Sequence, residues 1–363
     1  MTPDCDVLVI GGGLTGSSLA LQVQKAGFST LLFHSNQKQG HCASTVPLGL
    51  FNPAAAMQAK KSAFAEQALY HLDLLLQEVQ PYSDKTIGIK NGVIRPALDE
   101  TLLSNFKRSF EQEAWPDNWI DWLDADQMKT RFPKLTPVKG GLFVKTGQTI
   151  DTPAFLHAIH HVIKKSKPDS IINEQIHSVS KNGSFWKATS EKGTTYCARK
   201  IVFACSAGIE RFPEWGFLKF HSVKGETLTF SLPEKVFECA VAGKGYLAFK
   251  DHKLVVGSTY DHHFKDINPT AKARSILMDK LLKMVPDGFG LEEKSATSWA
   301  GIRLSSPDRM PVIGEHPLEK GLYISTGFGS KGIMYSGLCA SFLTEHLLNG
   351  KSIPETFICT RFK

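Results

Sequence analysis

Three stretches of this chain carry residues whose types and spacing could do chemistry. The first is Gly11-x-Gly13-x-x-Gly16, which follows the apolar run "CDVLVI" (5–10) and opens an amphipathic stretch. Gly11 permits a tight turn, Gly13 lets a pyrophosphate approach the backbone, and Gly16 lets a helix pack close to the preceding strand. The start of such a helix offers free N–H groups and the positive end of its dipole to phosphate oxygens. Dinucleotide binding is the chemistry expected here. The second stretch is "TSWAGIRLSSPDRMPVIG" (297–314), in which Gly301, Arg303, Pro307, Asp308, Pro311 and Gly314 read as a structured loop leading to a short strand. The third is "STGFGSKGIMYSG" (325–337), where glycines at 327, 329 and 332 form a turn at a helix start, a second device for an anion or dipole.

One position departs from the dinucleotide pattern. In "STLLFHSN" (29–36) the second strand ends on His34, where an acid would normally accept hydrogen bonds from the adenosine ribose hydroxyls. Three readings stay open. His34 could accept through its unprotonated ring nitrogen, face solvent, or favour a 2′-phosphate as in NADP.

These residues need elements to position them. Residues 5–10, a helix over 14–26 ended by Gly27, and a strand over 29–34 form a βαβ beginning. Further helices are expected over 62–79, 101–114, 124–131, 271–284 and 333–348, and "GGLFVKTGQTIDTPAFLHAIHHVIKK" (140–165) reads as strand, turn and helix with Pro153 in the first turn. Strand patterns dominate 219–298, and "KIVFACSAG" (200–208) and "GLYISTG" (321–327) read as buried strands. The expected class is α/β: a discontinuous Rossmann-like nucleotide domain from 1–80, 140–215 and 300–363, and a substrate domain with a large, mainly antiparallel sheet from 81–139 and 216–299.

Composition narrows the class. The chain has 363 residues, 42% hydrophobic and 21% charged, enough for one large or two medium cores. Its seven cysteines are scattered with no C-x-x-C pair, which argues against a disulfide framework or structural zinc and makes a reducing cytoplasm the simplest compartment. The paired histidines 160–161 and 262–263 have no spaced partners, so no metal site is expected. No signal peptide or membrane span is expected. The net charge of +7 fits either a mildly basic surface or a footprint for an anionic partner such as RNA.

Taken together, the glycine turns, "WLDADQMKTRFPKL" (122–135), "VKGETLTF" (223–230), "GYLAFKDHKLVVGSTYD" (245–261) and the arginine stretch resemble the D-amino-acid oxidase and glycine oxidase superfamily of FAD enzymes. Within it, "GLFNPAAAMQAKK" (49–61) and "GFGSKG" (327–332) also resemble the C-terminal oxidoreductase domain of the bifunctional enzyme that modifies tRNA wobble uridine; its methyltransferase half has no counterpart here. The resemblance implies FAD bound by Gly11, Gly13, Gly16, His34, Ser44, Gly329, Ser330, Lys331 and Gly332, with Val179 as a backbone contact to the adenine. Ser44 could also be a plain loop serine. Ser206 stands where the family often has glycine and adds bulk near the dinucleotide.

The resemblance further implies that Arg303 binds a substrate carboxylate, its planar fork fitting the two oxygens, and that the Tyr246 hydroxyl reaches the same group. Alternatively Arg303 pairs with Asp308, and Tyr246 is a core tyrosine. The implied activity is oxidation of a C–N bond in a small amino acid or N-carboxymethyl amine by hydride transfer to flavin N5. Two alternatives stand beside it: removal of a carboxymethyl group from wobble uridine of tRNA, and a non-catalytic FAD-binding subunit. The electron acceptor, oxygen or a redox partner, is left open.

Overall fold

A computed structural model describes residues 2–35, 42–234 and 236–362. The strand Cys5–Ile10 is buried on both faces, as an apolar run with no alternation requires, and lies parallel to Thr30–Phe33 on one side and to the end of Thr195–Phe203 on the other. Leu322–Thr326 continues the parallel set beside Thr195–Phe203, and Ile171–Ile172 extends it beyond Thr30–Phe33. An antiparallel hairpin, Ile176–Asn182 with Phe185–Ser190, and the short strand Val312–Glu315 complete this sheet.

Helices Leu14–Lys25, Ala65–Val79, Thr152–Ser166 and Gly332–Asn349 supply side chains to one apolar core shared with the sheet. Phe33, Phe203, Phe212 and Trp215 belong to a second cluster with other residues of the same sheet. The long helices start where the sequence allows it. Asp151 caps Thr152–Ser166 through the Ala154 N–H at 3.0 Å, with Pro153 in the first turn. Asp99 caps Glu100–Gln112, and Asp124 with Gln127 forms a reciprocal capping box at Ala125–Arg131.

The second large sheet has eight strands, ordered from the edge Thr297–Ser305 through His221–Ser231, Lys253–Gly257, Tyr246–Lys250, Ala240–Ala242, Val93–Pro96 and Gly140–Val144 to Ile120–Asp124. It is antiparallel except where Ala240–Ala242 meets Val93–Pro96. Helices Ala271–Met284 and Ala125–Arg131 pack with it around one cluster, and Glu100–Gln112 around another.

Two segments differ from the sequence reading. Gly140–Val144 and Thr297–Ser305 both belong to the second sheet, although the chain was divided at 140 and 300. Residues 297–305 form a nine-residue strand rather than a loop. The density of glycine, proline and aspartate over 297–314 reads as a loop, yet Gly301 sits directly opposite Gly225 in the ladder. No helix among the described residues is long and apolar enough to cross a membrane.

Candidate active site

A cavity of about 1010 Å³ runs along the carboxyl ends of the parallel strands and reaches the face of the second sheet. At one end it is lined by Glu174, Gln175 and Ile176, in the middle by Gly11–Gly13, His34 and Ser44, and at the other end by Gly327–Ser330, Tyr246 and Arg303.

The first glycine turn is built as its spacing requires. Gly11 has φ +119°, and a methyl placed on it would lie 2.4 Å from the Ala204 carbonyl oxygen. A methyl on Gly16 would lie 1.9 Å from the Gly11 oxygen, so Gly16 serves packing and does not line the cavity. Gly13 caps Leu14–Lys25 without a side-chain bond of its own. Ser44 supplies one from outside, its Oγ accepting from the Leu14 N–H at 3.0 Å. Among the described residues the Gly12 and Gly13 amides have no partner, and they face the cavity with the helix dipole behind them.

His34 is half-buried at the cavity wall, against Gly12: a methyl on Gly12 would lie 2.6 Å from the His34 Cβ. Its ring meets that of His160 edge-on, with centroids 5.4 Å apart. Burial, and secondarily Lys164, holds its pKa below the ordinary histidine value.

The second turn presents Gly329, Ser330 and Gly332 to the cavity at the start of Gly332–Asn349, whose N-cap makes no side-chain bond. Gly327 and Gly329 have φ of +77° and +54°, and a methyl on Gly329 would lie 2.7 Å from Ser305 Oγ. Lys331 points elsewhere: its ammonium donates to the Arg309 carbonyl at 2.9 Å. Val179 also lies away from the cavity, pairing with Ala188 in the hairpin and packing on the apolar cluster behind it. Ile176, just before a register shift in the hairpin, lines the cavity instead. Ser206 lines the cavity with φ +51°, a left-handed conformation where glycine is the usual choice.

Arg303 stands at the far end, half-buried. Asp308 does not pair with it: Asp308 accepts from Arg361 Nε at 2.8 Å and Nη2 at 3.1 Å. Among the described residues no carboxylate contacts Arg303. Its Nη1 donates at 3.4 Å to the Thr259 carbonyl, and its guanidinium lies 4.7 Å from the centroid of the Tyr260 ring. Two glycines clear space for this end. A methyl on Gly225 would lie 2.1 Å from Arg303 Nη2, and one on Gly257 would lie 2.2 Å from the Tyr246 ring. The Tyr246 hydroxyl donates to the Leu48 carbonyl at 3.0 Å, and burial raises its pKa.

Two backbone bridges tie the Arg303 strand to the cofactor side: Ile302 to Cys42, and Ser305 to Phe328. Trp299, whose ring lies over Gly301, donates to Thr45 Oγ1 at 3.3 Å. Sequence reasoning missed Gly225, Gly257, Trp299 and His160 as contributors to this cavity. Among the described residues no cluster of histidines, cysteines and carboxylates could hold a metal.

The cavity fits an elongated dinucleotide with a flat ring system. Unpartnered amides stand at Gly12 and Gly13, cradles that a Cβ would fill lie at Gly13 and Gly329, and a second helix start faces the substrate end. A methyl on Gly13 would come within 3.0 Å of Ser44 Oγ, so the close backbone approach there depends on glycine.

Comparison with known proteins agrees with this architecture. The chain is 23% identical to glycine oxidase of Geobacillus kaustophilus over 356 residues, covering 95% of this chain and 93% of that protein. It is also 23% identical to the bifunctional tRNA 5-methylaminomethyl-2-thiouridine biosynthesis protein of Thiobacillus denitrificans, covering 96% of this chain but 57% of that protein. The crystal structure of the Geobacillus glycine oxidase superposes with a TM-score of 0.85 at 22% identity, over 100% of this chain and 98% of that one. Iminodiacetate oxidase from a Chelativorans species superposes with a TM-score of 0.80 at 20% identity, over 96% of this chain and 97% of that one. The profile of the FAD dependent oxidoreductase family, DAO, matches residues 6–346, and the chain belongs to that family.

Proposed function

We propose that this FAD-dependent oxidoreductase oxidises the C–N bond of a small amino acid or N-carboxymethyl amine whose carboxylate is held by Arg303. The observation that carries the reading is an arginine at the cavity wall with a planar fork and no carboxylate partner among the described residues. A free guanidinium in a partly dry site takes an incoming carboxylate through two charge-assisted bonds and fixes its orientation. Gly225 leaves the fork room to lie flat along the sheet, and Tyr260 and the Thr259 carbonyl hold it there.

When bound, FAD supplies the two-electron acceptor. The chain's own task is placement. Arg303 grips one end of the substrate, so its α-carbon lies between the arginine and the second glycine turn. Tyr246 braces the wall beside it through Leu48, and Trp299 closes the side toward Thr45. Among the described residues no acid–base dyad lines this end, so orientation carries the catalysis once the amine is neutral. Support comes from glycine oxidase and iminodiacetate oxidase, relatives whose names specify substrates with this N–CH2–COO⁻ group. Anaerobic titration with glycine, sarcosine, iminodiacetate and D-amino acids tests it. Bleaching of the flavin by one of them is expected, and no bleaching by any at saturating concentration removes the reading.

A second reading, an N-carboxymethyl group carried on wobble uridine of tRNA, is favoured by one observation beyond the relatives' names. Lys60 and Lys61 lie on the Ala54–Ala55/Lys60–Lys61 hairpin, which follows the cavity-lining residues Gly49 and Leu50. Buried Arg95 pins that hairpin by donating to the Ala54 carbonyl at 2.7 Å. Salt-dependent binding of unmodified tRNA, weakened by Lys60→Glu, is expected on this reading; no binding at low salt removes it.

A further inference from the structure

His160, for which the sequence offered no chemical role, lies at the wall of the cofactor cavity. Its Nε2 lies 2.8 Å from Ser17 Oγ, and Ser17 Oγ lies 3.1 Å from the Gly12 carbonyl oxygen. A carbonyl can only accept, so the Ser17 hydroxyl proton goes to Gly12 and Ser17 Oγ accepts from His160 Nε2–H. The three groups form a directed chain from the helix Thr152–Ser166 through Leu14–Lys25 into the first glycine turn.

That chain has a consequence at the other end of the same peptide unit. In a trans peptide the C=O and the following N–H point in opposite directions. A Gly12 carbonyl drawn back toward Ser17 turns the Gly13 N–H outward into the cavity, where among the described residues it has no partner. The His34 ring closes the remaining side of this peptide, packed against the Gly12 backbone and edge-on to His160. With no side chain at Gly12 or Gly13 to restrict them, these two residues would otherwise sample many orientations.

We propose that His160 and Ser17 are positioning residues for the pyrophosphate of FAD: they fix the Gly12–Gly13 peptide so that its N–H is aimed at a phosphate oxygen before the cofactor arrives. The proposal rests on the dinucleotide reading of this turn. It assigns to His160 a role that no dinucleotide fingerprint contains, because His160 lies more than 140 positions from the turn it sets.

The test uses the full-length holoenzyme. FAD dissociation constants are measured by recovery of flavin fluorescence on dilution, for wild type, Ser17→Ala, His160→Leu and His160→Gln. Competition by ADP and by adenosine is measured alongside. Ser17→Ala and His160→Leu are expected to weaken FAD about five- to ten-fold and ADP by the same factor, with adenosine unchanged, since only the phosphates meet the peptide. His160→Gln, which keeps an N–H donor, is expected to recover most of the loss. Unchanged FAD affinity in Ser17→Ala overturns the proposal. So does a loss in His160→Leu that spares ADP, or that His160→Gln fails to rescue. Ser17→Ala, a small deletion, decides the matter if His160→Leu does not fold. Failure of FAD to bind the wild-type chain would instead sink the underlying cofactor assignment.

Discussion

The guanidinium of Arg303 occupies the space into which a side chain on Gly225 would project: a methyl there would lie 2.1 Å from Nη2. The two residues sit on neighbouring strands, with Arg303 opposite Val223 and Gly225 opposite Gly301. On the proposed reading, the carboxylate anchor is set as much by a missing side chain as by the arginine. Gly225→Ala is expected to push the fork off its seat and weaken binding of a simple carboxylate such as acetate by about ten-fold or more. Perturbation of the flavin absorbance by acetate reads this, and FAD content should not change.

Arg303 and Tyr246 differ in what they commit. Arg303 brings unpaired donors, whereas the Tyr246 hydroxyl proton already goes to Leu48. Arg303→Ala is expected to weaken carboxylate binding by roughly a hundred-fold, the worth of a charge-assisted pair. Tyr246→Phe should weaken it only a few-fold and lower stability by about 1 kcal/mol. Equal losses in the two variants, in the same acetate titration, would show that Tyr246 gives up its bond to Leu48 on binding.

A buried ion pair lies beneath the loop that carries Tyr260. Lys224 and Glu226, both almost fully buried, are 3.3 Å apart, and Glu226 accepts from the Thr270 N–H at 2.8 Å and its hydroxyl at 3.1 Å. Lys224 also donates to the Asn268 carbonyl. Lys224→Met leaves a carboxylate without its cation and should cost about 3–5 kcal/mol in denaturant unfolding. Because the loop also supplies Thr259 and Tyr260 to Arg303, acetate affinity should fall with it.

Stability should decline in mild acid. Burial chiefly, with His34, Lys164 and His157 adding to it against the pull of the Gly12 carbonyl, holds His160 down to about 4. The unfolded chain binds a proton at the ordinary histidine value near 6.5. Between those values the unfolded state carries more protons, so stability rises with pH across the window. The contribution is complete above about 6.5 and is lost as pH falls toward about 4, up to ~3 kcal/mol in all. Urea unfolding of wild type and His160→Gln at pH 7.5 and pH 5 reads it, and the variant should show the smaller difference.

Much of this site was legible in the sequence. Gly11, Gly13 and the glycines of the 327–332 turn carry local signals, because tight turns and close approaches demand particular residues at fixed offsets, whereas Ser44 was implied only by the family resemblance and Gly16 and Lys331 do not line the cavity. The structure sets Arg303 at the cavity end that these residues leave open. What stayed hidden depends on pairing between distant segments. Gly225 and Gly257 make room only for side chains on other strands or across a pleat, so nothing nearby marks them. Arg303 was read on a loop because 297–314 is dense in glycine, proline and aspartate, whereas Gly301 pairs with Gly225 inside a strand. Val179, implied by the resemblance, lies off the cavity that Ile176 lines, and the register shift between Ile176 and Ser178 leaves no trace in composition. His160 resembled any histidine on a helix face until Ser17 came within 2.8 Å of it.

The strand that carries Arg303 is the last of its sheet, and a terminal strand normally leaves a row of unpaired amides and carbonyls open to other chains. Here the bridges from Ile302 to Cys42 and from Ser305 to Phe328 lay two cofactor-side loops along that row. The same contacts that tie the Arg303 strand to the cofactor side thus shield the sheet from edge-to-edge association. One seam closes the sheet edge and joins it to the cofactor loops, so a change that loosens those loops would expose the edge.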